Sequence, residues 1–436
     1  MAGKWEETTL ADISADVAYG YTESASDEKV GPRFLRITDI QNGVVDWHTV
    51  PYCLISESDH RKYRLHPGDI VVARTGNSTG ENYLYRGTED AVYASYLIRF
   101  RVNQHSADPA FVWYNMRTQR WQDFINSSKT GSAQAGANAK VLGLFPLNLP
   151  PLAEQKAIAA VLGALDDKIE LNRRMNATLE AMARALFQSW FVDFDPVRAK
   201  MEGRQPTGMD AETTALFPDS FQDSQAGHIP KGWEVCSLAN KIAILSGGTP
   251  KTSEPEYWDG DIPWYSVKDA PSETDVWVIQ TEKQVTTLGI ENSAAQVLPE
   301  GTTIISARGT VGKLALVGTP MAMNQSCYGV RGIDGYAHYF TYFTLRQATA
   351  DIQQRTHGTV FDTITRQTFE TLDCNFPPAP LTQAFDRTFA PLLVQIRANL
   401  HQSRTLATLR DTLLPKLLSG EVSVAELEPA ERNGTL

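Results

Sequence analysis

Three segments carry residues whose types could do chemistry, but none completes a catalytic motif. The run Gly309–Leu314 (GTVGKL) resembles a phosphate-binding loop, yet it lacks the four-residue gap between glycines and the hydroxyl residue after the lysine. Asn148–Leu152 (NLPPL) differs from the Asn-Pro-Pro-aromatic motif of adenine methyltransferases by an inserted leucine and a missing aromatic ring. No Glu-x-Lys pair follows Asp219 or Asp223 as in a nuclease, and the eight histidines show no metal-ligand spacing. We therefore predict a non-catalytic chain with no metal site and no cofactor of its own.

Polar side chains on two loops in each half of the chain could instead contact DNA. Arg, Lys, Asn, Gln, Ser and Thr are the residue types that hydrogen-bond base edges and phosphates. An early glycine loop offers Arg74, Thr75, Asn77 and Ser78 in the first half, and Arg308, Thr310 and Lys313 in the second. A later Gly-Ser or Gly-Thr loop offers Lys129, Thr130, Ser132 and Gln134, and then His357, Thr359 and Thr363. Each of these residues also fits an ordinary solvated position, and the loop at Gly309 also fits a simple hairpin.

These loops recur because the chain contains an internal repeat with a period near 228 residues. Trp5-Glu6 precedes Leu10-Ala11 at the same spacing as Trp233-Glu234 precedes Leu238-Ala239. Pro67–Gly87 and Pro299–Gly318 then share the order strand, Ala-Arg, glycine loop, strand, with Ala73-Arg74 matched to Ala307-Arg308. Short β-branched runs between Gly, Pro and Asn residues predict a mostly β domain in each half.

Each half ends in a proline stop followed by a long helical pattern, because proline is tolerated in the first turn of a helix. The apolar spacing repeats with an offset of 227 residues and is broken at the same step by polar residues. The predicted seam of the helix pair comprises Leu162, Leu165, Ile169, Asn172, Asn176, Leu179 and Leu186, with Leu392, Ile396, Asn399, Ser403, Leu406 and Leu413. Two unrelated amphipathic helices are the alternative. An interior proline, Pro391, predicts that the second helix bends or begins near that residue.

The repeat and the seam together predict an α+β fold. Two mostly β domains are each followed by a long helix, and the helices pair as an antiparallel coiled coil with pseudo-twofold symmetry. The predicted boundaries are a first β domain at 1–150, a helix at 151–198, a linker at 199–230, a second β domain at 231–380, a helix at 381–422 and a tail at 423–436. Because the two loop sets differ, a chain of this kind on DNA would contact a split, asymmetric target with an unread spacer.

Two long segments resemble a known family. Pro150–Arg204 closely resembles the central conserved region of type I restriction–modification specificity subunits, and Thr408–Val422 looks like their distal conserved region. The resemblance implies that the β domains are target-recognition domains for double-stranded DNA and that the helices dock two modification subunits. Those partners would bind S-adenosylmethionine, and restriction subunits would add ATP- and Mg-dependent translocation and cleavage. The second half departs from the pattern, since it has PLTQ where the first has PPLAEQ.

The charge balance is unusual for a DNA-binding protein. The formal net charge is −11, and basic residues outnumber acidic ones in none of the stretches 1–150, 151–230, 231–380 and 381–436. We therefore expect local contacts or help from a more basic partner, and a protein–protein scaffold that binds no DNA is the competing hypothesis. The four scattered cysteines, the polar N-terminus and the lack of a long apolar run predict a cytoplasmic protein that does not enter a membrane.

Overall fold

A computed structural model describes residues 5–427, apart from residue 42 and the segments 130–136 and 356–362. The chain divides into two compact units, Met1–Lys168 with Leu406–Leu436, and Ile169–Thr405. Each unit combines β-sheets with helices, so the predicted α+β class is confirmed. None of the helices in the described ranges has the length and apolar content that crossing a bilayer requires.

The elements of the first unit are short, with the exception of the long helix that leaves it. They are β1 Glu6–Thr9, β2 Ser14–Tyr19, β3 Arg33–Leu35, α1 Glu57–Tyr63, β4 Asp69–Ala73, β5 Asn82–Leu84, β6 Ala91–Tyr93, β7 Leu97–Val102, α2 Pro109–Asn115, α3 Gln119–Lys129, α4 Ala139–Gly143, β8 Pro146–Leu149 and the start of α5 Leu152–Phe191.

The main sheet of the first unit has the order β2-β7-β4-β5, with antiparallel neighbours. Strand β4 (DIVVA) is buried along its whole length, as a central strand rich in β-branched residues should be. Its one charge, Asp69, is neutralised by the neighbouring strand, since Arg101 donates from Nε over 2.7 Å to one carboxylate oxygen. Two further pairs complete the unit, antiparallel β1-β8 and parallel β3-β6.

The second unit has more strands. Its elements are α6 Asp195–Met201, α7 Ala211–Ala215, β9 Phe221–Ser224, β10 Gly227–Pro230, β11 Glu234–Ser237, β12 Ile242–Ser246, β13 Trp258–Tyr265, β14 Trp277–Val278, β15 Lys283–Val285, α8 Thr287–Glu291, β16 Thr303–Ser306, β17 Leu314–Val317, β18 Ala322–Met323, β19 Cys327–Gly332, α9 His338–Arg355, α10 Arg366–Thr371, β20 Asp373–Phe376 and α11 Ala379–Ser419, whose last residues belong to the first unit.

The sheets of the second unit repeat those of the first. Its main sheet has the order β12-β19-β16-β17-β14, so its first four strands match β2-β7-β4-β5 and β14 is added at the edge. Antiparallel β11-β20 matches β1-β8, and parallel β13-β18 matches β3-β6. The predicted internal repeat is thus visible strand by strand.

The pairing of the strands corrects the predicted match between the two early loops by one residue. Ala73 lies opposite Leu97 at the end of β4, and Ser306 lies opposite Cys327 at the end of β16. Ser306 is therefore the structural counterpart of Ala73. Because the glycine loop of the second unit is one residue shorter, the matching of Ala73-Arg74 with Ala307-Arg308 from sequence alone is off by one position.

In the second unit, α5 and α11 pack antiparallel. Asn172 on α5 donates to the Ser403 hydroxyl over 3.1 Å, while Trp190, further along α5, packs against Phe385 on α11 at a ring-centroid distance of 5.8 Å. Residue numbers thus rise along one helix as they fall along the other, which confirms the predicted direction. At the end of this pairing where Trp190 and Phe385 lie, aromatic side chains form a buried core, and several of their rings meet edge to face.

The same helices pack antiparallel in the first unit. Ile158 and Leu162 share a buried core with Leu414 and Leu417. Next to this core, Asp166 accepts hydrogen bonds from Arg410 and from the hydroxyl of Tyr114, each over 2.7 Å. The carboxylate thus links α5 to both α11 and α2.

The two long helices begin alike despite the different motifs. Buried Gln155 donates to the carbonyl of Pro150 and accepts from the amide of Asp108, the N-cap of α2. In the second unit, the Thr382 hydroxyl accepts from the amide of Ala337, which precedes α9. A threonine in the PLTQ segment thus bonds the residue before the neighbouring helix, as the glutamine of PPLAEQ does.

Three features predicted from the sequence differ from the structure. Helix α11 begins at Ala379 and continues through Pro391, which faces solvent, so it does not begin at that proline. Leu186 is 37% exposed, because the buried stripe of α5 passes from Ala183 to Phe187. The segment at 199–230 joins the two halves and is itself folded, with α7 and the hairpin β9-β10.

Candidate nucleic-acid interface

The early glycine loop of the first unit, residues 74–81, connects β4 to β5 as a closed hairpin. The amide of Gly80 donates to Ala73 over 2.9 Å, and the Thr79 hydroxyl donates to the carbonyl of Gly76 over 2.7 Å. Gly76 and Gly80 have φ values of +71° and +97°, which side chains rarely adopt. A Cβ at Gly80 would also lie only 2.8 Å from the side chain of Ile125. The loop therefore presents Thr75, Asn77 and Ser78 from a defined backbone.

Arg74 is held against the end of the sheet. Its Nε donates to the carbonyl of Ser95 over 3.1 Å, and its guanidinium lies 5.1 Å from the ring centroid of Tyr19. Its backbone amide donates to Tyr96. Tyr19 and Tyr96 are 43% and 57% exposed, so the arginine contacts the ring of one exposed tyrosine and the backbone of another. Sequence reasoning missed both tyrosines, because nothing in the pattern links β2 or the β6-β7 turn to the glycine loop.

The residues that follow the later loop of the first unit lie beside Arg74 and Tyr19. The amide of Ala137 donates to the carbonyl of Arg74 over 3.0 Å, and the amide of Ala139 donates to the hydroxyl of Tyr19 over 3.1 Å. The residues that follow the predicted later loop therefore lie beside the early loop. Lys129 is the last residue of α3 and its side chain lies outside the described part, as do Thr130, Ser132 and Gln134.

The glycine loop of the second unit, residues 307–313, is closed by one serine. Ser306 Oγ accepts from the amide of Lys313 over 2.8 Å, and its carbonyl accepts from the amide of Gly312 over 2.9 Å. These two amides are thus used within the hairpin and cannot cradle a phosphate. The side chains of Arg308, Thr310 and Lys313 are exposed, and those of the two cations make no hydrogen bond to any described residue.

The later loop of the second unit also ends beside the glycine loop. The amide of Ile364 donates to the carbonyl of Ala307 over 2.9 Å, next to half-buried Thr363. His357 and Thr359 lie outside the described residues. Two residues further on, Arg366 donates from Nη2 to the carbonyl of Ile244 over 3.3 Å and to the hydroxyl of Ser246 over 3.2 Å. Sequence reasoning missed this arginine, because it follows the loop and lies on a short helix.

The chemistry of these surfaces suits polar recognition. Within the described ranges, no group of three His, Cys, Asp or Glu residues is placed to hold a metal ion. Each surface combines guanidinium, hydroxyl and amide groups at one end of a rigid sheet. These are the groups that bind base edges and phosphates.

The comparisons with known proteins agree with this geometry. The family model of the type I restriction modification DNA specificity domain matches residues 3–181 and 230–386, so the chain belongs to this family. The similarity to the specificity subunit of the type I restriction enzyme HindI of Haemophilus influenzae is 25% identity, covering 96% of this chain and 99% of that protein. The specificity subunit of MjaIX of Methanocaldococcus jannaschii is 26% identical, over 83% of this chain and 76% of that protein.

A solved structure shares the fold. The crystal structure of the type I restriction-modification S subunit from M. genitalium matches with a TM-score of 0.55 and 16% identity, over 95% of this chain and 96% of that one. The predicted family is thus confirmed, and with it a role in DNA sequence recognition rather than as a DNA-independent scaffold. Specificity subunits are the non-catalytic components of type I complexes, as predicted for this chain.

Proposed function

We propose that residues 1–150 and 231–380 are two target-recognition domains, each of which reads one part of a split, asymmetric DNA target. The observation that carries the proposal is that the two units share the strand order of their main sheets but differ in the loops at one end. The shared sheets provide the same support, and the different loops provide different contacts. In the first domain these are Arg74, Thr75, Asn77 and Ser78, and in the second Arg308, Thr310, Lys313 and Thr363.

We further propose that α5 and α11 dock two modification subunits. Several large apolar side chains on these helices are exposed, namely Leu171, Met182, Leu186, Val394 and Leu409. Leu171, Met182 and Leu186 are separated by eleven and four residues, so they share one face of α5, and an exposed apolar face of a helix suits a protein partner. The modification subunits would supply S-adenosylmethionine and methyl transfer, and restriction subunits would supply ATP- and Mg-dependent translocation and cleavage.

The test is selection of DNA duplexes from a random library by the full chain, alone and together with its modification subunit, followed by footprinting. We expect two conserved blocks flanking an indifferent spacer, with protection over both blocks. Selected duplexes without any common sequence, in both preparations, would overturn the proposal.

A further inference from the structure

In each unit, one arginine side chain is anchored where the first strand of the main sheet ends. In the first unit Arg74 lies against Tyr19, the last residue of β2, and in the second Arg366 bonds Ser246, the last residue of β12. Tyr19 lies opposite Ile98, and Ser246 lies opposite Tyr328. Ile98 directly follows Leu97, which lies opposite the last residue of β4. Tyr328 directly follows Cys327, which lies opposite the last residue of β16. Tyr19 and Ser246 are therefore structural counterparts.

The two arginines nevertheless come from different loops. Arg74 and Ala307 are counterparts, because the carbonyl of each accepts the first amide after the later loop, from Ala137 and Ile364 respectively. Two residues further along, Ala139 is then the counterpart of Arg366. Its amide bonds the Tyr19 hydroxyl, as the side chain of Arg366 bonds Ser246. At the first of these two positions the first unit has Arg74 and the second unit has Ala307. At the other position the first unit has Ala139 and the second unit has Arg366.

From this exchange we infer that Arg74 and Arg366 are the equivalent base-reading arginines of the two domains, and that Arg308 is not the partner of Arg74. The inference rests on the proposed function, because it names residues within the same DNA-reading surfaces. The ligand is the acceptor edge of a guanine, whose O6 and N7 accept hydrogen bonds from a guanidinium.

Anchoring distinguishes these two side chains from the other cations of the loops. One nitrogen of each guanidinium is held by the protein, since Nε of Arg74 donates to the carbonyl of Ser95, and Nη2 of Arg366 donates to the carbonyl of Ile244 and the hydroxyl of Ser246. The other nitrogens make no hydrogen bond to a described residue. A guanidinium held in this way loses little freedom when it binds a base, so it discriminates by geometry. Arg308 and Lys313 are exposed and unanchored among the described residues, which suits a contact with the uniform phosphate backbone.

The test uses duplex selection by the full chain with its modification subunit, comparing Arg74→Ala, Arg366→Ala and the matched control Arg308→Ala. We expect R74A to lose one guanine preference in one block and R366A to lose one in the other. Binding to the best wild-type duplex should weaken by about 10-fold to 100-fold in each case. R308A should keep both blocks and weaken binding to all sequences alike.

A transfer variant tests the equivalence itself. In R74A/A139R the guanidinium is supplied from the position that Arg366 occupies in the second unit, and we expect the lost guanine preference to return. Retained preferences in R366A, or a preference lost in R308A, would overturn the inference, as would equal weakening for all sequences in R74A and R366A. Arg366 is exposed, so R366A decides the question even if the transfer variant does not fold. A wild-type complex that selects no blocks would instead refute the proposed function.

Discussion

Two buried asparagines at the centre of the helix pair offer a quantitative test of what holds α5 and α11 in register. Asn399 donates to the side-chain oxygen of Asn176 over 2.9 Å, and both residues are nearly inaccessible, at 4% and 2% exposure. Asn176 also donates to Asp275 over 3.2 Å, so the seam is tied to the loop before β14. The perturbation is Asn399→Leu, Asn176→Leu and the double variant.

The magnitude follows from the partners that each substitution leaves behind. In N399L the buried oxygen of Asn176 loses its donor, and in N176L the buried amide of Asn399 loses its acceptor. A buried polar group without a partner costs about 1–3 kcal/mol, whereas replacing both partners with apolar groups is close to neutral. We therefore expect each single variant to destabilise the second unit by about 2 kcal/mol. The double variant should fall well short of the sum, with a coupling energy of about 1–2 kcal/mol.

The assay is thermal unfolding of the full chain followed by far-UV circular dichroism. A loss of about 2 kcal/mol lowers the Tm of a unit of this size by about 4–8 °C, and the double variant, with a loss of about 2–3 kcal/mol, should lower the Tm little further than either single variant. Asn292→Leu, at the exposed residue that follows α8, is the matched control; it removes only an exposed hydrogen bond to Leu288 and should leave the Tm nearly unchanged. Additive losses in the double variant would refute the reasoning, because the two side chains would then contribute independently.

Three further predictions test the remaining contacts. Gln155→Ala should destabilise the first unit by about 2–3 kcal/mol, measured by urea unfolding, because it removes two buried hydrogen bonds at the start of α5; an unchanged midpoint would contradict this. Burial raises the pKa of Asp386 from its ordinary value of 3.8 to about 6, so its contribution to stability is fully present below pH 3.8 and is lost as the pH rises through about 6. Relative to Asp386→Asn, the wild type should lose up to about 3 kcal/mol across that window, and parallel pH profiles would exclude the effect. Lys313→Ala should lower the salt dependence of DNA binding by about one unit of slope without changing the selected sequence, and an altered sequence would show that Lys313 reads a base.

The two long helices and the turns of the early loops could be predicted from the sequence, because their signals come from residues that are close together in the chain. The helices α5 and α11 follow from apolar residues spaced by three and four positions after a proline stop, and Pro151 and Pro378 do precede their first residues. Glycines within the early loops mark turns that need positive φ, as at Gly76 and Gly309. Such signals are local, so one sequence suffices to read them.

Features that depend on which strands become neighbours could not be predicted from the sequence. Tyr19 and Ser95 are far from each other in sequence, and only the pairing of β2 with β7 brings both to Arg74. The one-residue difference between the glycine loops also misleads a comparison by residue type, because Ala-Arg occurs in both loops at non-equivalent positions. Hydrogen bonds across the sheet, rather than the shared dipeptide, identify Tyr19 and Ser246 as counterparts, and it is Arg366 that bonds Ser246, which is the basis of its proposed equivalence to Arg74.

The acidic composition is consistent with a protein that must discriminate between DNA sequences. A chain with a formal net charge of −11 gains little nonspecific attraction to the phosphate backbone from its overall charge. Under the proposed function, its affinity then depends on a few anchored groups such as Arg74 and Arg366, whose contacts exist only at the correct bases, and on the partner subunits for general attraction to the phosphates. Separating these two contributions keeps nonspecific binding by this chain weak, and a competing genome presents far more nonspecific sites than targets. The ratio of specific to nonspecific affinity of the complete complex should therefore respond to substitutions at these two arginines much more strongly than to changes in salt.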